Sequence, residues 1–237
     1  MCYSACMDII PRMPKEPARD FALRFLRHNI VNLHLPPGAM ISTTEISERT
    51  GVSRTPVREA MQELEKTGVL EIFPQAGSRI SYIDYNIIHE SSFIRQTIET
   101  AVVGQLCESI TPEMIERFRD ILDAQKRHID CCGNEGFYDL DHAFHRQIYV
   151  AAGRMYTYQT LENCQWHFDR LRKLSFNAVS VKVFYRDHSR LFEAIAARDR
   201  RRARMLALRH LTRYLKDEAI IRAKYPQYFS DKAGVAE

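Results

Sequence analysis

The sequence predicts a mainly α protein, with an N-terminal winged helix-turn-helix followed by an all-α helical bundle. Three observations predict it. Gly51-Val52-Ser53-Arg54-Thr55-Pro56-Val57-Arg58-Glu59 stands between two short amphipathic segments, with a turn-forming glycine and a second segment that opens on arginine. Two β-prone runs around a Pro/Gly turn follow directly. From Tyr85 onward apolar residues recur at helical spacing, with no convincing strand and no repeat.

Residues 1–16 read as a flexible tail rich in Met and Pro, without a charged-then-apolar signal pattern. A helix from about Ala18 to Leu33 turns Phe21, Leu26 and Ile30 inward, and Pro36-Pro37-Gly38 ends it. The first motif helix spans about Thr43 to Thr50 with Ile46 inward. The second starts near Arg54. Pro56 fits its first turn, where the missing N–H has no helical partner. Val57, Ala60, Met61 and Leu64 fall at i, i+3, i+4 and i+7, one buried stripe. Arg54, Arg58 and Gln62 share another face. Guanidinium groups at the leading end of such a helix can bind the O6 and N7 of guanine, and Ser53 and Thr55 can reach phosphate. A capped surface helix would also carry two solvated arginines; the turn, the proline and the stripe together favour DNA. Val69–Phe73 and Arg79–Ile83 are the strands of a wing whose tip, around Gln75 to Ser78, can reach the neighbouring minor groove or backbone. These elements make a DNA-binding domain of residues 17–83.

Residues 84–222 form the predicted bundle, an effector-binding and dimerisation domain of about six helices near 85–109, 112–130, 137–152, 156–176, 179–198 and 200–220, with a tail at 223–237. Thr111-Pro112-Glu113 is an N-cap with proline at the first helical position. Three inward stripes carry polar groups: Asp141, Phe144, His145, Ile148; then His188, Leu191, Phe192, Ile195; then Ala203, Leu206, Ala207, His210, Tyr214. Burying an unpaired carboxylate or imidazole is costly. A lone core histidine is usually just hydrogen-bonded, but one acid and three histidines converging in a bundle are most simply satisfied by a divalent metal.

Two sets of residues resemble a known family. Leu35-Pro36-Pro37-Gly38, the run Gly51–Ala60, Leu64-Glu65 and Gly68 are similar to the GntR family of bacterial transcription regulators. The resemblance implies that Arg54 and Arg58 contact bases and that Gly77 sits at the wing tip. The family often has an arginine near the start of the first motif helix; here Thr44 stands there, so operator sequence does not transfer simply. Asp141-His142-Ala143-Phe144-His145, His188–Ile195 and Arg209-His210-Leu211 resemble the metal-binding signature of the FCD subgroup. That implies the ligands Asp141, His145, His188 and His210, for zinc first, with nickel or manganese as alternatives.

An octahedral ion with four protein ligands keeps two positions for water, which a small carboxylate or sugar-acid effector could replace. Arg95, on the inward stripe Arg95, Ile98, Glu99, Val102 and in a run resembling a subgroup motif, is suited to clamp a carboxylate; an i,i+4 surface pair with Glu99 is an equal alternative. Arg213, one turn after His210, is a further effector candidate. The basic run 198–204 spreads around a solvent face, His142 points away from the metal stripe, and His128 and His167 have no evident partner.

Composition bounds the rest. The net charge is +4, and basic and acidic residues nearly balance over residues 1–80, so placement rather than bulk charge argues for DNA. No apolar run approaches the roughly 20 residues of a membrane helix. Cys2, Cys6, Cys107, Cys131, Cys132 and Cys164 form no CxxC pair, as expected of reduced thiols in a cytoplasmic protein. The expected protein is a homodimeric repressor on a short palindromic operator, with no catalytic residues. A metalloenzyme with an appended winged helix is the alternative, as is a regulator whose metal is structural or is itself the signal.

Overall fold

The computed structural model describes residues 7–230. They divide into two compact units, one of residues 7–88, Trp166–Arg170 and 225–230, the other of His89–Gln165 and Leu171–Lys224. Cys2, Cys6 and the last seven residues lie outside the described residues; Cys107, Cys131, Cys132 and Cys164 are free thiols.

In the first unit, α1 (Ala18–Val31) buries Phe21, Phe25, Leu26 and Ile30. It stops two residues earlier than expected, because Leu33 takes a left-handed φ of 64° before the prolines are reached. α2 (Thr43–Thr50) is bounded by its caps. Ser42 Oγ accepts the Glu45 N–H at 3.1 Å, and Gly51 closes the helix at φ 67°, where a side chain would be strained. α3 (Arg54–Lys66) buries the expected stripe of Val57, Ala60, Met61 and Leu64. The core joins these helices to Leu35, Ile41, Val69, Leu70, Ile80 and Trp166.

The wing differs from its expected form. A short strand not expected from the sequence, β1 (Met40–Ile41), joins β2 (Leu70–Phe73) and β3 (Gly77–Ile80) in an antiparallel sheet of order β1-β3-β2. β3 starts two residues before Arg79, and Ser81 to Ile83 leave the sheet; Ile83 forms an isolated bridge to Phe229. The tip is therefore Pro74-Gln75-Ala76. Ala76 N–H donates to Phe73 O at 3.1 Å, and Gln75 supplies the positive φ, 63°. Gly77 and Ser78 are strand residues paired with Phe73 and Ile72, not tip residues.

Residues 7–16 and 223–230, expected to be tails, pack onto the fold. Met7 is buried in the first unit's core, and Arg24 holds Glu16 at 2.7 Å. At the other end, helix runs to Lys224, and a 3-10 turn at Pro226–Tyr228 leads to the bridge at Phe229.

Beyond the wing the described residues are helical, in eight α-helices rather than six: α4 (Tyr85–Ser109), α5 (Pro112–Cys132), α6 (Phe137–Ala151), α7 (Met155–Glu162), α8 (Trp166–Ala178), α9 (Lys182–Ala196), α10 (Arg200–Leu211) and α11 (Tyr214–Lys224). The helix expected over 156–176 breaks at 163–165, where Cys164 and Gln165 N–H groups make tighter i→i−3 bonds to Leu161 and Glu162 carbonyls. Trp166 then joins the core of the first unit, while Leu171 onward belongs to the second. The helix expected over 200–220 breaks at Thr212-Arg213, where Thr212 Oγ1 bonds back to Leu208 O at 2.9 Å. Thr111 caps α5 and Asp199 caps α10 as expected. Arg198 donates to the Glu108 and Ile110 carbonyls, so this end of the basic run serves the C-terminus of α4. Among the described residues no helix is long and apolar enough to cross a membrane.

Candidate functional site

Two surfaces carry chemistry, one in each unit. In the first, α3 presents Arg54, Thr55 and Arg58 on its exposed face, with Ser53 just before them. Ser53 stands at the N-cap position but makes no side-chain cap bond, so its hydroxyl is not used by the helix. Arg54 and Arg58 make no hydrogen bond or ion pair among the described residues, and the buried stripe on the opposite face fixes their direction. Gln75 is exposed at the wing turn, Gly77 half-buried in β3. Thr44 is half-buried on α2.

In the second unit the four expected ligands come together. Asp141 and His145 come from α6, His188 from α9 and His210 from α10; all are buried, with donor atoms within 4.8 Å of one another. His145 Nε2 lies 3.1 Å and His188 Nε2 3.3 Å from His210 Nε2, and Asp141 Oδ1 lies 3.4 Å from His188 Nε2 and 3.9 Å from His145 Nε2. His142 turns away, as expected, toward Tyr158 OH at 2.7 Å.

The other ring nitrogens show why this cluster suits a cation. Glu99 Oε1 accepts from His145 Nδ1 at 2.5 Å. Gln125 donates its Nε2 to Leu140 O at 2.9 Å, which leaves its Oε1 to accept from His188 Nδ1 at 3.0 Å. With the protons on Nδ1, the Nε2 atoms of His145 and His188 carry lone pairs. Both aim at His210 Nε2, which could offer one proton at most; Asp141 Oδ1 has no hydrogen-bond partner, while its Oδ2 is ion-paired to Arg172. Electron-rich atoms therefore converge in a buried space. Zinc bonds to nitrogen of about 2.0–2.1 Å would place neighbouring ligands roughly 3 Å apart, close to the spacings found. Three imidazoles and one carboxylate fit a borderline transition ion better than magnesium or calcium, which prefer oxygen.

Electrostatics agree. Burial pushes His210 down to about 4 against the opposing pull of Asp187, and lowers His145 and, further, His188. The rings are held neutral, the form that ligates metal. Burial alone would raise Glu99, but His145 and Arg95 hold its carboxyl below the usual range; of these the Arg95 charge is the dependable cause, since His145 itself is neutral.

The groups that orient the ligands were mostly missed in the sequence. Arg95 Nε donates to Glu99 Oε2 at 3.1 Å, so the pair considered as an alternative exists; it is buried, not on the surface, and braces His145. Asp187 Oδ2 is 3.7 Å from His210 Nδ1, too far for a hydrogen bond, and is held by Arg213 Nε and Nη2 at 2.9 and 2.6 Å. Arg172 forms an ion pair with Asp141 Oδ2. Gln125 lies on a buried stripe with Phe118 and Leu122, the signal that marked the histidines, and was legible in principle. Asp187 and Arg172 had no such signal. His128 and His167 also have partners, the carbonyls of Glu135 and Thr67.

The fold and these surfaces define a DNA-binding regulator with a winged helix and a helical domain built around a buried polar centre. Residues 20–80 match the model of "Bacterial regulatory proteins, gntR family", and residues 90–213 match that of the FCD domain. The chain belongs to the GntR family of transcriptional regulators and is not an enzyme. It is 32% identical over 220 residues to the HTH-type transcriptional repressor RspR of Escherichia coli, covering 92% of this chain and 96% of that protein. It is 33% identical over 217 residues to an uncharacterized HTH-type regulator in an unstable DNA locus of Streptomyces ambofaciens, covering 91% and 90%. The solved structure of E. coli McbR/YncC shares the fold at a TM-score of 0.75 and 20% identity, over 89% of this chain and 99% of that one.

Proposed function

We propose that the chain is a cytoplasmic, homodimeric repressor whose bundle holds a divalent metal at Asp141, His145, His188 and His210 and senses a small organic acid there. The convergence of the His145, His188 and His210 Nε2 atoms carries this reading. An ion bound by these four side chains would supply a Lewis acid with open positions for a carboxylate or sugar acid. Glu99 and Gln125 hold the imidazoles of His145 and His188 at the angle and tautomer that ligation needs, and the Asp187 carboxylate lies behind His210. Arg95 stands one residue's contact behind His145, buried, and is the guanidinium proposed to meet the effector's carboxylate. Arg213, held by Asp187 one turn from His210, is the further candidate to meet the effector. Zinc comes first on the donor set, with nickel or manganese as alternatives.

Arg54 and Arg58 are proposed to read base edges, Ser53 and Thr55 to hold phosphates, and Gln75, with Gly77 beside it, to bring the wing to the backbone or minor groove. One recognition helix reads too few bases for genomic specificity, which is why two copies on a palindrome are proposed. The name of the E. coli relative, a repressor, supports the sign. Effector binding must differ in affinity between operator-competent and operator-released states. A tenfold change in operator affinity needs about 1.4 kcal/mol of such coupling. The test is a thermal-shift screen of organic acids on metal-loaded protein, followed by operator titrations with and without the hit. An acid that stabilises the protein only when metal is loaded and weakens operator binding supports the reading; normal response by metal-free protein contradicts it.

A further inference from the structure

A second group of metal-capable side chains lies outside the bundle. Asp8, His28 and His34 place one donor atom each within 4.8 Å of one another, all in the first unit. We propose that they form a solvent-facing site for a divalent transition-metal ion, which clips the segment of residues 7–16 to the C-terminal end of α1.

The fold holds each ligand in place independently. Asp8 follows Met7, which is buried in the core. Its backbone is gripped on both sides by one buried side chain: Asp8 N–H donates to Asn29 Oδ1 at 2.7 Å, and Asn29 Nδ2 donates to Asp8 O at 3.1 Å. The carboxylate is thereby set 2.8 Å from His28 Nε2, on the last turn of α1. His34 arrives from the other side of the helix end. Leu33 turns the chain at φ 64°, and Leu35, buried in the core, donates its N–H to Asn29 O at 2.9 Å. Between them His34 stacks on His28, ring centroids 6.1 Å apart and planes 15° apart.

An ordinary His28–Asp8 pair would explain two of these residues. It does not explain a second imidazole delivered alongside, nor a leucine in the left-handed conformation where glycine or asparagine usually ends a helix. Strain of that kind persists where the surroundings over-determine it, often beside a ligand site. Two imidazoles and a carboxylate favour zinc, nickel or copper over magnesium or calcium. His28 and His34 are half-exposed, so rotation of His34 can close the donor spacing toward the roughly 3 Å of neighbouring ligands, with water at the remaining positions.

The test uses the full chain, stripped with chelator and titrated with Zn2+ or Co2+. Wild type is expected to bind two ions per chain, His34→Gln one, and the His34→Gln/His188→Ala double variant none. Asp8→Asn should weaken the surface ion by about tenfold or more. The ion should also slow tryptic cleavage after Arg12 and Lys15 in wild type, and not in His34→Gln. The metal-free His34→Gln protein should melt as wild type does, which separates ligand loss from misfolding; if it does not, Asp8→Asn gives the same reading. Unchanged stoichiometry and affinity in His34→Gln and Asp8→Asn overturn the site, whatever becomes of the bundle centre. Loss of an ion in His188→Ala alone supports only the bundle centre, and loss in His34→Gln alone only the surface site.

Discussion

The recognition helix and the histidine centre use polar side chains in opposite ways. Arg54 and Arg58 are exposed and uncommitted, so the surface proposed to read DNA is complete as a surface without a partner inside the fold. Asp141, His145, His188 and His210 are buried, and the ring nitrogens of His145 and His188 that face away from the centre are already taken by Glu99 and Gln125. What remains there is a set of lone pairs, one oxygen of Asp141 being ion-paired to Arg172. The first arrangement costs folding little and can be altered with little effect on stability. The second is costly unless a cation completes it, so changes there should move stability and ligand binding together.

The comparison breaks most visibly at the centre itself. His188→Ala removes a fully buried ring and leaves the Gln125 oxygen without its donor. The expected loss is about 3 kcal/mol or more, seen as a lower melting temperature and loss of the tight metal ion. A variant that melts and binds metal as wild type does would contradict the assignment.

Acid should act next, and mostly on the bundle, where three rings are held neutral; in the first unit burial pushes His167 down, to about 4. His210 titrates near 4 when folded, below its ordinary 6.5, and His145 and His188 are lowered too. The unfolded chain therefore takes up protons first as pH falls. Stability is fully present above about 6.5 and declines toward 4, by roughly 1.4 kcal/mol per pH unit for each ring kept neutral. Metal loss acts in the same direction. Chelator-stripped protein that melts at the same temperature at pH 7 and pH 5 would deny that the rings are buried neutral.

At the other surface, Arg54→Ala and Arg58→Ala should each weaken operator binding by about 1–3 kcal/mol and relax preference at particular bases. Their melting temperatures should stay near wild type, since neither side chain is bonded within the fold. Equal operator affinity in both variants would mean that another face reads DNA. The smallest expected effect comes from Gln125→Ala, which keeps all four ligands but releases His188 Nδ1. Metal affinity should fall about 10- to 100-fold with the ion still bound at saturation, measured by competition with a chelator. No change would assign Gln125 to packing alone.

What the sequence made legible follows the same division. Ser42, Gly51 and Pro56 mark α2 and α3 because capping and left-handed turns demand particular residue types. The three polar-bearing stripes marked the buried Asp141–His145–His188–His210 cluster because helical periodicity turns each of these residues inward. The breaks at 163–165 and 212–213 carry no glycine or proline and arise from tertiary demands on Trp166 and Arg213, so one long helix was expected at each. β1 is two residues long and exists through pairing with β3, which no local pattern encodes. Glu99, Asp187 and Arg172 act across elements distant in sequence, and their roles emerged only when the helices were packed.

The central claim is that a metal ion completes the buried centre. Anomalous diffraction at the zinc edge, on crystals of zinc-loaded His34→Gln protein, measures this directly. The account predicts a single strong peak bounded by Nε2 of His145, His188 and His210 and a carboxylate oxygen of Asp141. A zinc-saturated protein with no peak among those four side chains would contradict it.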